Sequence, residues 1–122
     1  MSPEDVIEVF AGRMSACDVD AALELYDDAA SFVVQPGHAV TGRAAIRAAL
    51  RDFAALTPTL TGEIEQVVEA DGLALVANRW TLNGTGLDGT PVTLEGRSAD
   101  VLRRSPHGDW RILIDDPWGG GS

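Results

Sequence analysis

From Thr59 to Asp115 the sequence alternates with a period of two. The first half instead spaces its apolar residues like helices, and this change of period constrains the fold most. The alternating stretches Thr59–Ala70, Leu73–Asn83, Pro91–Arg104 and Trp110–Asp115 predict long strands. Asp71-Gly72, the run from Gly84 to Gly89, and Pro106-His107-Gly108-Asp109 separate them as hairpin turns. Helices followed by a meander of antiparallel strands make an α+β domain, with helices packed on one face of a curved sheet.

In the first half, Ser2-Pro3-Glu4-Asp5 opens a helix: a capping Ser, a Pro in the first turn, and acids at the positive helix end. Val6, Ile7, Phe10 and Met14 form its apolar stripe. Asp18 reads as a second cap, starting a short helix with Val19, Ala22, Leu23 and Tyr26 inward and Asp27-Asp28 at its end. "AASFVV" (29–34) is a short strand closed by the Gln35-Pro36-Gly37 turn. Thr41 or Gly42 then opens a third helix with Ile46, Leu50 and Phe53 inside, Arg43, Arg47 and Arg51 outside, and Pro58 beyond its end.

A chain of 122 residues holds one domain, here 1–118, followed by a flexible tail, 119–122. Its net charge of −10 speaks against nucleic acid, whose phosphates need clustered cations. All nine basic residues are Arg, so a lysine Schiff base and a P-loop lysine are excluded. No run is long enough to span a membrane, and the acidic start MSPEDVIEVF is unlike a signal peptide, so a cytoplasmic protein without membrane contact is expected. The single Cys17 can form no internal disulfide and reads as a small, at least half-buried hydrophobe. His38, His107 and Cys17 lack ligand spacing, so no metal is expected.

One residue interrupts the strand pattern. In "GRSADVLRR" (96–104) the carboxylate of Asp100 lies mid-strand, on one face with Ser98 and Leu102, while Ala99 and Val101 face the other way. Either Asp100 pairs with a neighbouring Arg at the surface, or it faces a pocket. Burial without a cation would raise its pKa and make it a hydrogen-bond donor.

The order "DVDAALELYDDAASFV", turn, "GRAAIRAAL", then strands ending in "DVLRR" and "GDWRI" resembles the nuclear-transport-factor-2-like superfamily, home of ketosteroid isomerases and SnoaL-like polyketide cyclases. The likeness runs from Val6 to Trp118. It implies a cystatin-like cone: a curved antiparallel sheet wrapped around three N-terminal helices, enclosing an apolar pocket, often paired into a homodimer through the sheet. No cofactor is expected. The isomerases place a Tyr in the first helix, an acid on the third long strand and a proton-moving Asp after the second helix. Asp100 matches the strand acid, but Phe10 stands at the Tyr position and Val34 or Gln35 at the Asp position, so the isomerase mechanism itself is not expected. Epoxide hydrolases of this fold use two acids and an Arg. Asp100 with Asp115-Asp116 would supply the acids, yet Ser98 occupies the Arg position and Arg79 or Arg97 would have to substitute.

The expected function is a SnoaL-like protein that takes a small apolar or polycyclic molecule into the cone. Asp100, His38 and Asp115 are the candidates for proton transfer in an isomerase or cyclase-like step. Tyr26, Gln35, Trp80, Ser98, Trp118 and Phe10 are the candidate substrate contacts, and Trp110 belongs to the core with Ile112 and Ile114. The alternative is a non-catalytic ligand-binding or dimerisation module, its cone filled by Phe10, Phe32, Phe53 and Trp80; a third is epoxide-hydrolase-like water activation. A cavity of roughly 300 Å³ or more with convergent polar groups separates the ligand-handling readings from a filled cone.

Overall fold

The computed structural model describes residues 1–119. Three helices, α1 (Pro3–Ser15), α2 (Val19–Leu23) and α3 (Arg43–Ala54), lie against a sheet of six strands. The strands are β1 (Tyr26–Gln35), β2 (His38–Thr41), β3 (Thr59–Ala70), β4 (Leu73–Thr85), β5 (Pro91–Arg104) and β6 (Trp110–Asp116). Their order across the sheet is β2-β1-β6-β5-β4-β3. All neighbours are antiparallel except β1 and β6, which run parallel.

Local chemistry accounts for the helix ends. The Ser2 hydroxyl accepts from Asp5 N–H and the Asp5 carboxylate accepts from Ser2 N–H, so two N-terminal donors of α1 are satisfied reciprocally. Asp18 Oδ1 caps α2 through Ala21 N–H. Gly42 stands before α3 at φ +92°, a conformation that costs a side-chain-bearing residue energy and glycine almost none. Apolar residues of α1 (Val6, Ile7, Met14) and α3 (Ile46, Leu50) bury against Val76, Leu102 and Ile112 of the sheet.

The short strand begins earlier than the sequence suggests. Tyr26, Asp27 and Asp28 open β1 instead of closing α2, so Tyr26 projects from the sheet. Cys17 is exposed, not buried: it occupies the left-handed residue at the end of α1, φ +57°, where the chain turns toward α2. Of the expected tail, Gly119 closes a turn by donating its N–H to Asp116 O at 3.2 Å, and 120–122 lie outside the described residues. No helix among the described residues is long and apolar enough to cross a membrane.

Single extra residues at Val34 in β1, Glu65 in β3 and Leu113 in β6 bulge the antiparallel ladders and help bend the sheet around the helices. The last has a chemical effect. Leu102 pairs with Ile112 and Val101 with Ile114, so Leu113 is the extra residue and Asp100 faces Asp115. An unbroken ladder would have turned Ile114 inward with Ile112. Instead Ile114 is 42% exposed, Asp115 is buried, and Trp110 is half-buried at the strand's start with the Arg104 guanidinium 5.7 Å from its ring centre.

Candidate functional site

The inner face of the sheet and α1 enclose a cavity of about 380 Å³. Its walls are mainly apolar: Phe10 and Met14 from α1, Phe53 from α3, and Leu60, Trp80 and Leu82 from the sheet. The aromatic residues that were candidates to fill the cone therefore line it. Register explains the polar floor. Ile64, Asn78 and Ser98 form one inward row across β3, β4 and β5; Val76, Asp100 and Asp115 form the next across β4, β5 and β6. Asn78, Ser98, Asp100 and Asp115 are all buried and all line the cavity.

Asp100 and Asp115 are direct cross-strand partners. Side chains so placed have Cβ atoms about 5 Å apart. Like charges at roughly that distance repel by about 3 kcal/mol even at an effective dielectric near 20, and burial adds a desolvation penalty to each. Against this, Asp100 Oδ1 accepts one backbone N–H, from Asp116 at 3.2 Å, and the Ser98 hydroxyl gives it a little more support. Repulsion and burial win: desolvation first, then Asp115, hold the Asp100 carboxyl well above its ordinary value. Asp115 is also raised by desolvation, but a hydrogen bond with the Asp100 carboxyl and then the Tyr26 hydroxyl, which donates to its Oδ2 at 2.5 Å, favour its charged form. The pair therefore retains one proton above the usual carboxylate range. Tyr26 is fully buried behind Asp115, and its own hydroxyl is held in the neutral form, first by desolvation and then by Asp115.

Tyr26 thus acts on Asp115 from behind and is not among the lining residues. Phe10, at the position where the isomerases keep a hydroxyl, packs edge-on against the Tyr26 ring with centroids 5.8 Å apart and lines the cavity. Trp80 and Trp118 also line it, edge to face at 5.2 Å, but both indole N–H groups are occupied: Trp80 donates to Pro117 O at 2.8 Å and Trp118 to Val34 O at 3.1 Å. They offer a ligand surface, not hydrogen bonds. Gly96 lies beneath Trp80, where a Cβ would stand 3.0 Å from Cζ2 of the ring.

His38 and Gln35 do not belong to the site. They pair with each other at the exposed tip of the β1–β2 hairpin, because β1 runs on past the cavity before it turns. Nor does an Arg enter. Arg79 and Arg97 project from the opposite face of the sheet, each 3.3 Å from Glu65, so the cation required by the epoxide-hydrolase pattern is not supplied by either. Asn78 is not among the site residues that the sequence singles out. Its signal is an inward position between Val76 and Trp80 in "LALVANRW", where a polar residue interrupts an apolar row.

A curved six-stranded sheet wrapped around three helices is the nuclear-transport-factor-2-like fold. The chain belongs to the SnoaL-like domain family, whose model matches residues 6–112. Solved structures share the architecture. A ketosteroid isomerase-like protein from Erwinia carotovora atroseptica superposes with TM-score 0.79 at 19% identity, covering 92% of this chain and 88% of that one. A nuclear-transport-factor-2-like protein with a cystatin-like fold from Novosphingobium aromaticivorans gives 0.77 at 21%, covering 97% and 80%. Aln2 from a Streptomyces species gives 0.75 at 23%, covering 95% and 90%. No curated protein matches the chain.

Proposed function

We propose that this SnoaL-like domain binds an uncharged, mostly apolar molecule bearing a carbonyl and shifts a proton within it. The observation that carries the proposal is the cross-strand pair Asp100–Asp115, buried at the cavity floor with Tyr26 donating to Asp115. In this reading Asp100, neutral, donates a hydrogen bond to the carbonyl oxygen. Asp115, ionised, removes a proton from the adjacent carbon, the C–H electron pair moves into the C=C bond of the enol, and the carbonyl oxygen takes the Asp100 proton. Return of the proton to a different carbon completes an isomerisation or opens a cyclisation, with no change of oxidation state. Two carboxyls whose environments separate their proton affinities can serve as acid and base together.

Exchange of the α-protons of 1-tetralone in D2O, followed by proton NMR, tests this. Wild-type protein accelerates the exchange, and Asp115→Asn reduces the acceleration about 100-fold or more, the usual span of a general base. Equal exchange by wild type and Asp115→Asn would contradict it.

The functional unit in this proposal is a homodimer joined through the outer face of the sheet. Val68, Leu75, Val101 and Ile114 stand in one register row across β3, β4, β5 and β6, with Val68, Leu75 and Ile114 each more than 40% exposed. The ion pairs of Arg79 and Arg97 with Glu65 lie beyond the small Ala77–Ala99 row on one side, and that of Arg103 with Asp27 borders the strip on the other. An apolar strip between charged rims of both signs suits a second copy turned by a two-fold axis.

A further inference from the structure

We infer that the cavity takes a second class of ligand, hydrophobic ammonium ions, which place a protonated nitrogen between Asp100 and Asp115 and exclude the neutral substrate. This goes beyond the acid/base reading: it needs the cavity and the carboxyl pair, but no proton transfer to or from carbon.

The first observation is a pair of buried carboxyls with no cation. Asp100 and Asp115 are only 4% and 6% exposed, and no ion pair among the described residues includes either. The chain has no Lys, and no Arg or His is among the described residues that line the cavity. Buried carboxylates are ordinarily paired. Folding has already stripped this pair of water, so an entering cation gives up only its own hydration. It gains an attraction that the low-dielectric surroundings strengthen.

The second is access. Asp100 Oδ1 accepts from Asp116 N–H, and Asp115 Oδ2 accepts from the Tyr26 hydroxyl. Apart from each other and the weak contact of the Ser98 hydroxyl, Asp100 Oδ2 and Asp115 Oδ1 have no donor among the described residues. Neither is sealed: the unpartnered side-chain atoms without accessible surface are Arg47 Nε and Asn78 Oδ1. Both aspartates line the cavity, so their open oxygens face it. An ammonium group carries three donors, enough for both oxygens. In accepting two of them, the pair releases the proton it shares.

The third is shape. Trp80 pairs with Gly96, four residues before Asp100 and so about 13 Å away along β5. Trp80, Trp118 and Leu82 line that end, with both indole N–H groups already given to backbone carbonyls. A ligand that fills the cavity is therefore charged at one end and apolar along the rest. Glu8 lines the cavity from α1 while exposed to solvent, which puts an acid at the mouth to draw cations in.

Titration calorimetry with three probes on one skeleton tests the inference: 1-aminotetralin, the neutral 1-tetralol, and tetralin-1-carboxylate. Each is titrated in weakly acid solution, in two buffers of different protonation enthalpy. Wild-type protein binds the amine about tenfold or more tighter than the alcohol, the lower end of what charge-assisted hydrogen bonds contribute. It binds the carboxylate more weakly than either, and releases a proton to the buffer with the amine alone. The amine also suppresses α-proton exchange of 1-tetralone competitively. Asp100→Asn still prefers the amine but releases no proton, because one carboxylate remains and no shared proton does. The double variant Asp100→Asn/Asp115→Asn binds the amine no better than the alcohol. Equal binding of amine and alcohol by wild type, or a heat independent of buffer, would overturn the inference. So would a preference that survives in the double variant, since acids of the outer surface would then hold the cation. Exchange of 1-tetralone without a preference for the amine would leave the acid/base reading standing. Preference and proton release without exchange would contradict that reading alone.

Discussion

Asp100 and Asp115 face each other across β5 and β6, and they do so because Leu113 is bulged out of the ladder between them and the Leu102–Ile112 pair. A bulge of one residue exchanges Ile114 for Asp115 on the inner face. It converts what would be an aliphatic floor into two carboxyls competing for one proton, with Tyr26 behind the second. The chemistry assigned to this cavity follows from that one-residue shift.

Asp100→Asn should alter how stability depends on pH. The folded pKa of Asp100 is raised above its ordinary 3.8, so folding binds a proton that the unfolded chain releases. The stability contributed by this group is fully present below the unfolded pKa and is lost as pH rises through the folded one. Asparagine keeps the neutral, hydrogen-bonding shape at every pH. Thermal melts across a pH series should show the variant close to wild type in acid and progressively more stable, by a few degrees, as pH rises. A constant difference across the series would count against a protonated Asp100.

Tyr26→Phe removes the hydroxyl that donates to Asp115 and leaves a buried carboxylate short of a partner. The loss should be about 2 kcal/mol of unfolding free energy at neutral pH. Because the hydroxyl favours the charged form of Asp115, the deficit should shrink as the pH falls and that carboxylate protonates. Chemical denaturation at neutral and acid pH reads both effects, and a deficit independent of pH would assign Tyr26 a packing role only.

Leu75→Arg places a charge at the centre of the outer apolar row, between Val68 and Val101. Sedimentation velocity should show dimers for the wild type and at least tenfold weaker association for the variant, with the melting temperature of the monomer little changed because Leu75 is 44% exposed. A wild type that is monomeric at high concentration would contradict the sheet-to-sheet pairing.

The long strands were legible because alternation over ten or more residues is hard to mistake for a helix, and Asp71-Gly72 and Pro106 to Asp109 marked the turns. Asp100 was legible as an inward acid for the same reason, since its row with Ser98 and Leu102 holds in the structure. The bulge was not. Ile112 and Ile114 alternate regularly, and no glycine marks Leu113, so the phase of Asp115 depends on sheet curvature that no local pattern encodes. Tyr26 lay one helical turn beyond Ala22 and was counted with α2, whereas Leu25 and Tyr26 are already committed to packing with β6. His38 and Gln35 were placed by analogy with relatives, and the length of β1 carries both past the cavity.

The most direct measurement is a carbon-13 NMR titration of the Asp100 and Asp115 carboxyl groups. The account predicts that their shifts respond together, that the last proton leaves the pair well above 3.8, and that Asp115→Asn removes the coupling while Asp100, still buried, remains raised. Two independent titrations near 3.8 would mean that the carboxyls are separately solvated, and would contradict the acid/base site.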